Sequence, residues 1–222
     1  MNVAEQLAEM KQNIKTACRK CERNPEEIRI IAVTKYVSID RTLEAIESGV
    51  NDLGENRKEE FLKKHERIGD QATWHFIGSL QSRKVKDVIH QIDYLHSLDR
   101  KSLAKEIQKR ADKTIPCFIQ VNVSGEESKH GLHPDDVEEF IESINDYDKI
   151  KIVGLMTMAP HVEHEEELRA VFRKLRALRD IIRDRNLPHA PCEHLSMGMS
   201  NDYTIAIEEG ATHIRVGSSL VG

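Results

Sequence analysis

The amino-acid sequence predicts an α/β protein built as a single (β/α)8 barrel of the TIM type, with an extra helix at its amino terminus. After that helix, eight short apolar segments alternate with amphipathic helical segments over the rest of the 222 residues. Eight such repeats in roughly 200 residues lie near the lower size limit of this fold. An open doubly wound sheet is the alternative, but it usually has fewer strands and a glycine-rich first turn, whereas the first turn here, residues 34–38, lacks glycine. We therefore expect one barrel domain over residues 1–222.

The extra amino-terminal helix is indicated by apolar and small residues at helical spacing, namely Val3, Leu7, Met10, Ile14, Ala17, Cys18 and Cys21. Cys18 and Cys21 form a C-x-x-C pair, a spacing that also occurs in zinc and redox sites. Because both sulfurs fall on the apolar stripe, we predict small core residues at these positions and no metal site.

The eight strands are predicted to end at Lys35 and at residues 54–56, 75–78, 96–99, 121–123, 155–158, 194–197 and 214–217. Each helical segment between them carries one apolar face, and the longest has Leu168, Val171, Phe172, Leu175, Leu178 and Ile182 at three- and four-residue spacing. Capping residues agree with these limits, with Ser38 and Pro134 at helix starts and Gly49 and Gly210 past helix ends.

The composition is that of a soluble globular protein, with 32% charged and 39% hydrophobic residues. A net charge of −5, with basic residues mixed among acidic ones, argues against general nucleic-acid binding. No apolar run approaches the roughly 20 residues that span a bilayer, and the amino terminus lacks the basic-then-apolar order of a signal peptide. We expect a cytoplasmic protein that binds neither nucleic acid nor a membrane.

Lys35 closes an apolar segment, residues 29–35, that is typical of a buried strand. Burial of an ammonium group lowers its pKa, and the neutral amine is the nucleophile that forms Schiff bases. The sequence therefore predicts a reactive lysine at the first strand end. The alternative is an ordinary lysine whose head group reaches solvent.

Polar residues follow the other predicted strands as well, at the end of the barrel where active sites of this fold lie. They are Asn56, Arg57, Gln81, Asp99, Arg100, Asn122, Ser124 and Thr157. The loops after the last two strands combine glycines with the hydroxyls of Ser200 and Ser218, which favours a phosphate site built from backbone N–H groups. The same serines also suit helix N-caps.

An amine on one side of the barrel mouth and an anion site on the other would suit a phosphorylated carbonyl compound bound to Lys35 through an imine. Pyridoxal phosphate and a sugar phosphate both meet this description. The residues by themselves leave that choice open.

Six segments at the strand ends act as motifs: Ala32-Val33-Thr34-Lys35, Leu53-Gly54-Glu55-Asn56-Arg57, Trp74-His75-Phe76-Ile77-Gly78 with Leu80-Gln81, Gly154-Leu155-Met156-Thr157-Met158-Ala159-Pro160, Leu195-Ser196-Met197-Gly198-Met199-Ser200 and Arg215-Val216-Gly217-Ser218. They span nearly the whole chain. With them, the sequence resembles the pyridoxal phosphate homeostasis protein family, whose barrel is similar to the amino-terminal domain of alanine racemase, of fold type III.

The resemblance implies a set of contacts with pyridoxal 5′-phosphate: Lys35, Asn56, Ser200, Arg215, Gly217 and Ser218. Lys35 would carry the cofactor covalently as a Schiff base, and Ser200, Gly217 and Ser218 would hold its phosphate. Asn56 would lie by the ring hydroxyl, and Arg215 would face the pyridine nitrogen. An arginine keeps its proton, so the ring nitrogen would stay unprotonated and the ring would be a weaker electron sink.

The sequence departs from the usual pattern of this family at its carboxyl end. Ser218 stands where threonine is usual, which keeps the hydroxyl, and Val221 stands where phenylalanine is usual. The sequence also ends at Gly222, short of the usual tail of the family.

A binding and carrier role in vitamin B6 homeostasis is the function that we expect, without robust catalysis. Racemisation needs an acid–base group on each face of the imine, and racemases of this fold take the second one, a tyrosine, from another domain of a partner subunit. Tyr36 neighbours Lys35 in the strand and would face the opposite way, whereas Tyr203 is expected to pack among the helices. A weak amino-acid racemase or lyase is one alternative, and a cofactor-free aldolase acting on a sugar phosphate is another.

The partners implied by the carrier role are pyridoxal phosphate itself and apo forms of pyridoxal-phosphate enzymes, which would accept it. We expect a monomer or a weak dimer.

Overall fold

The barrel is closed by eight parallel strands that follow one another around the ring in chain order. The computed structural model describes residues 2–126, 129–160 and 164–222. The strands are β1 (Arg29–Val33), β2 (Asp52–Glu55), β3 (Thr73–Phe76), β4 (Tyr94–Leu98), β5 (Ile115–Gln120), β6 (Ile150–Met156), β7 (His194–Ser196) and β8 (His213–Val216). The last strand pairs with the first, with Ile214 opposite Ile30, so the ring has no free edge. The predicted (β/α)8 barrel is confirmed.

Helices surround the strands and supply the outer layer of the fold. They are α1 (Val3–Lys20), α2 (Ile39–Glu47), α3 (Lys58–Ile68), α4 (Val85–Val88), α5 (Lys101–Arg110), α6 (Val137–Glu142), α7 (Glu165–Asp184) and α8 (Tyr203–Glu208). Within the described ranges, no helix combines the length and the apolar character needed to cross a membrane.

The extra helix α1 is capped and packed as its sequence predicts. Asn2 Oδ1 accepts a hydrogen bond from Glu5 N at 2.8 Å, and the Glu5 carboxylate accepts one from Asn2 N at 3.2 Å, which completes a capping box. The apolar stripe is buried, and α1 contacts α2 and α8. Cys18 is fully buried, whereas Cys21 is half-buried and its thiol donates to Ala17 O at 3.3 Å. Both cysteines are therefore packed as small side chains of the helix.

The predicted capping residues stand at the ends of their helices. Ser38 Oγ accepts from Arg41 N at 3.1 Å and so caps α2. Gly49 and Gly210 follow α2 and α8 with φ of +96° and +111°, a left-handed backbone that glycine adopts without steric penalty. Pro134 opens a single 3₁₀ turn, Pro134–Asp136, that leads into α6.

Six of the eight strands end inside the predicted segments, whereas β1 and β5 end earlier. The pairing of β1 with β2 stops at Val33 opposite Gly54, and the backbone then turns, with Val37 N donating to Thr34 O at 3.0 Å. Lys35 lies in this turn and is exposed. The expected burial of Lys35 is therefore wrong, because the residue lies beyond the last paired position of its strand.

A buried ion pair joins the barrel to α3 directly below that turn. Lys64 Nζ lies 2.5 Å from Glu55 Oε1, and the two side chains are 1% and 0% exposed. Thr34 completes the group, since its hydroxyl donates to Glu55 Oε1 and its carbonyl accepts from Lys64. Glu55 Oε2 has no hydrogen-bond partner among the described residues. A charge buried to this extent is tolerated only when it is paired.

Removing one member of this pair should destabilise the fold strongly, because the remaining charge would be left buried and unpaired. We expect Lys64→Met to lower the free energy of unfolding by roughly 3–5 kcal/mol. The matched control is Lys63→Met on the exposed face of the same helix. It should change the free energy of unfolding by no more than about 0.5 kcal/mol. Urea denaturation of the two variants measures the difference, and equal midpoints would contradict the buried pair.

Histidines occupy the centre of the barrel, where aliphatic side chains are usual. His75, His96 and His213 are buried, and the His96 ring stacks on Phe118 with a centroid distance of 4.3 Å. Burial lowers the pKa of all three imidazoles, and it places those of His96 and His213 well below the ordinary 6.5. The native barrel therefore holds these rings in the neutral form.

Acid should destabilise the barrel through these histidines. Above about pH 6.5 both the native and the unfolded chain keep them neutral, so stability is complete there. Below that pH these histidines bind protons in the unfolded chain but stay neutral in the native chain. The free energy of unfolding therefore falls by up to about 1.4 kcal/mol per pH unit for each histidine. Urea denaturation between about pH 7 and about pH 5.5 measures this slope.

Two substitutions test the origin of that slope. His213→Asn should reduce the slope of unfolding free energy against pH by up to about 1.4 kcal/mol per pH unit, whereas Lys63→Met, which removes no histidine, should leave the slope unchanged. A slope that does not respond to His213→Asn would assign the acid sensitivity to other groups.

Candidate functional site

The predicted site residues come from four strands that lie side by side in the ring, in the order β7, β8, β1 and β2. They are Ser200 after β7, Arg215 on β8, Gly217 and Ser218 after β8, Lys35 after β1, and Asn56 after β2. All of them lie at the carboxyl ends of the strands, where the chemistry of such barrels occurs. Barrel closure thus brings residues from both ends of the chain to one arc of the mouth.

The turn that carries Lys35 has an unusual backbone. Tyr36 has φ +63°, a left-handed conformation that is uncommon for a residue with a Cβ atom. Its side chain is 73% exposed, and the Arg57 guanidinium lies 5.4 Å from the ring centroid. Thr34, on the other side of Lys35, is tied to the buried Glu55–Lys64 pair. Lys35 is therefore an accessible amine on a turn that is anchored on both sides.

Ser200 links the two loops in which the sequence predicts a phosphate site. Its hydroxyl oxygen accepts from Gly217 N at 3.2 Å and from Ser219 N at 3.5 Å. The N-cap of α8 is Asp202, whose carboxylate accepts from Met199 N at 2.5 Å. The N-cap interpretation of Ser200 is therefore wrong, and its oxygen instead occupies the point on which two backbone N–H groups converge.

The Ser200 oxygen and the backbone of Gly217 and Ser219 form a small cradle. The sequence pattern indicated Ser218 for this region and not Ser219. The Ser219 hydroxyl oxygen is buried and, within the described parts of the chain, forms no hydrogen bond. Ser218 is exposed. A buried hydroxyl without a partner beside two converging N–H groups is suited to an anion with several oxygen atoms. Ser219 could have been predicted from the sequence, because it places a second hydroxyl in the turn after Gly217.

Arg215 places a buried cation at the same arc of the mouth. It is 5% exposed, and its two terminal nitrogens donate to Ser196 Oγ at 2.6 Å and to Thr157 O at 2.9 Å. Burial lowers the pKa of Arg215 to about 10, an effect that the charge of Asp202 partly offsets. The guanidinium therefore remains charged at neutral pH and can only donate hydrogen bonds.

Asn56 is half-buried and lines a cavity of about 630 Å³ together with Gln81, Asp99 and Arg100. The backbone of Asn56 is packed against Gly78, because a Cβ atom at Gly78 would lie 2.2 Å from Asn56 O. This contact joins the motif after β2 to the motif after β3. It explains why glycine occupies position 78 and holds Asn56 at the mouth.

Two other polar positions of the prediction serve the structure of the rim. The Thr157 hydroxyl is buried and donates to Val121 O at 2.8 Å. Asn122 Nδ2 donates to Glu126 O at 2.9 Å, within its own loop.

Tyr203 is held among the helices, as expected. It is 8% exposed, and its hydroxyl oxygen accepts from Asn13 Nδ2 on α1 at 3.1 Å. This contact ties the first and last helices of the chain together. The Tyr203 hydroxyl oxygen is thus engaged with α1.

Comparison with known proteins identifies the family of the chain. The family model described as "Alanine racemase, N-terminal domain" matches residues 6–222. A pyridoxal phosphate homeostasis protein of Aquifex aeolicus is 43% identical over 226 residues, which cover 100% of this chain and 98% of that protein.

Solved structures show the same likeness. PipY of Synechococcus elongatus with pyridoxal phosphate bound has a TM-score of 0.86 and 30% identity, over 99% of this chain and 100% of that one. Alanine racemase of Corynebacterium glutamicum, at 13% identity and a TM-score of 0.72, shares the fold over 98% of this chain and 59% of its own. The chain belongs to the pyridoxal phosphate homeostasis protein family, whose barrel is that of the alanine racemase amino-terminal domain.

Proposed function

We propose that this protein binds pyridoxal 5′-phosphate reversibly, as a Schiff base on Lys35, and serves the homeostasis of that cofactor. The observation that carries the proposal is the common arc of the mouth that Lys35 shares with the Ser200–Gly217–Ser219 cradle and Arg215. The names of the relatives and the pyridoxal phosphate bound to PipY support it. A cytoplasmic location suits this role.

The phosphate would be held by the cradle after β7 and β8. The backbone N–H groups of Gly217 and Ser219 already converge on one oxygen atom, that of Ser200. The unpartnered Ser219 hydroxyl and the exposed Ser218 hydroxyl add donors in the same turn. Charged oxygen atoms accept hydrogen bonds from such groups more strongly than a neutral hydroxyl does.

Arg215 would face the pyridine nitrogen, and Asn56 would lie by the ring hydroxyl. Pyridoxal phosphate supplies an electron sink whose strength depends on protonation of that nitrogen. A guanidinium that keeps its proton can donate to the nitrogen without transferring a proton to it. The site would therefore retain the cofactor while weakening its power to stabilise a carbanion.

The described residues also favour a carrier over a racemase. Two-base racemisation needs an acid–base group on each face of the bound imine. Tyr203 is engaged with Asn13, and the Tyr36 ring is exposed and contacts the Arg57 guanidinium. Apo forms of pyridoxal-phosphate enzymes would then be the acceptors of the bound cofactor.

Removing the Lys35 amine should abolish covalent binding. We expect the wild-type protein mixed with pyridoxal phosphate to show a visible absorption band that borohydride removes, and mass spectrometry should place the reduced adduct on Lys35. Lys35→Ala should lose the band, whereas Lys84→Ala, at another lysine of the mouth, should keep it.

The outcome against the proposal is a band, or a borohydride adduct, that persists in Lys35→Ala. Incubation of the loaded protein with a panel of amino acids separates the carrier from an enzyme. Turnover that Lys35→Ala abolishes would favour a weak racemase or lyase.

The phosphate would replace the Ser200 oxygen as acceptor of the two N–H groups, and the Ser200 hydroxyl would then donate its hydrogen to the phosphate. Removing that hydroxyl should therefore weaken binding of the phosphate group selectively. We expect Ser200→Ala to lower the affinity for pyridoxal phosphate by roughly tenfold, the effect of one hydrogen bond to a charged group. Its affinity for pyridoxal, which lacks the phosphate, should stay unchanged. Spectral titration measures both, and Ser102→Ala, at an exposed position, is the control. An equal loss for the two ligands would place the phosphate elsewhere.

A further inference from the structure

A chain of hydrogen-bonded side chains crosses the barrel interior from Arg215, at the mouth, to Asp52, at the first position of β2 and hence at the opposite end. Arg215 Nη1 lies 2.6 Å from Ser196 Oγ, and Ser196 Oγ lies 2.8 Å from His96 Nδ1. His96 Nε2 lies 2.8 Å from His75 Nδ1, and His75 Nε2 lies 2.7 Å from Asp52 Oδ1. We call these five residues the axial relay.

The chemistry of the members sets the direction of every hydrogen bond in the axial relay. Arginine only donates, so Ser196 Oγ accepts from Arg215 and its own hydrogen is free for His96 Nδ1. At the other end the Asp52 carboxylate only accepts, so a neutral His75 donates from Nε2 and accepts at Nδ1. A neutral His96 then donates from Nε2 to His75 Nδ1 and accepts the Ser196 hydrogen at Nδ1. All four hydrogen bonds run from the cation to the anion.

The surroundings keep the axial relay in this state. Burial holds His75 and His96 neutral by lowering the pKa of each. Aromatic side chains fix both rings, since His75 stacks on Tyr94 at 4.6 Å between centroids and His96 stacks on Phe118 at 4.3 Å. Asp52 is the member in partial contact with solvent, with its side chain 16% exposed. It lines a cavity of about 430 Å³ at the base of the barrel.

The axial relay bears on the orientation of the Arg215 guanidinium. Ser196 presents a lone pair to Arg215 because its hydrogen is committed to His96, which in turn needs His75 and Asp52 to hold its tautomer. With Thr157 O fixing the second terminal nitrogen, the orientation of the guanidinium plane is set. Residues far below the mouth thereby control where a donor at the mouth is aimed.

We propose that Asp52, His75, His96 and Ser196 are positioning residues that aim the Arg215 guanidinium at the pyridine nitrogen of bound pyridoxal phosphate. The inference rests on the proposed function, because it takes from it the role of Arg215 toward the ring. Asp52 acts as the terminal acceptor of the axial relay. An asparagine there would supply a comparable acceptor through its carbonyl oxygen, whereas an alanine would not.

The test compares two ligands that differ only at the ring nitrogen: pyridoxal phosphate and its 1-deaza analogue, in which C–H replaces that nitrogen. We expect Ser196→Ala and Asp52→Ala to weaken binding of pyridoxal phosphate by roughly tenfold and to leave binding of the analogue within about twofold. Asp52→Asn should restore the affinity for pyridoxal phosphate to within about threefold of wild type. Spectral titration supplies the dissociation constants.

The matched control is Ser97→Ala. Ser97 is a buried serine beside His96 whose hydroxyl has no hydrogen-bond partner in the described part of the protein. This variant should bind both ligands as the wild type does. Equal losses for the two ligands in Ser196→Ala and Asp52→Ala would reduce the axial relay to a structural role, and unchanged binding of pyridoxal phosphate would also overturn the proposal.

A second measurement needs no cofactor. In ¹⁵N NMR spectra of the free protein at neutral pH, His75 and His96 should both be neutral and protonated at Nε2. A cationic ring or an Nδ1–H tautomer would contradict the direction of the axial relay.

The two proposals fail in different ways. If the wild-type protein forms no adduct that depends on Lys35, the proposed function is wrong, whatever the histidine tautomers are. If the adduct forms but the variants do not distinguish the two ligands, only the role of the axial relay is wrong.

Discussion

The pairing of β8 with β1 is the constraint on which the site depends. Ile214 and Arg215 lie opposite Ile30 and Ile31, so the last strand of the chain lies against the first. Without this pairing, the loops after β7 and β8 would lie at one edge of a sheet and Lys35 at the other. Parallel closure places every carboxyl end on one face and brings the Lys35 amine, the Ser200–Gly217–Ser219 cradle and the buried Arg215 cation to one side of it.

A second constraint is that the buried charges described above are held by hydrogen bonds. Lys64 and Glu55 neutralise each other beneath the Lys35 turn, and the Arg215 guanidinium is held by Ser196 and Thr157. Aliphatic residues in these places would avoid the cost of desolvating polar groups, which is several kcal/mol for an ion. The charged groups instead determine specific orientations, because each hydrogen bond has a defined donor and acceptor.

The histidines of the barrel interior connect stability to the proposed binding role. Keeping His75 and His96 neutral gives each ring one donor and one acceptor, which is what a directional chain requires. The same neutrality is the reason we expect acid to destabilise the fold. In the role we propose, retention of the cofactor requires an oriented Arg215 but no second acid–base group. The Tyr203 hydroxyl, which accepts a hydrogen bond from Asn13, is consistent with that role.

The sequence alone determined the barrel, its strand order, the caps at Ser38, Gly49 and Gly210, and the strand ends at which the candidate site residues lie, because side-chain periodicity and turn chemistry are local properties. It located Lys35 at the first strand end but not its exposure, since the last paired residue of β1 depends on the register with β2. Only the tertiary structure decided that Ser200 joins two loops, that Ser219 lies in the cradle and that Asp52 is connected to Arg215. Those relations join residues far apart in the chain through the closed ring. No local pattern encodes the distance between two strands that meet only when the barrel closes.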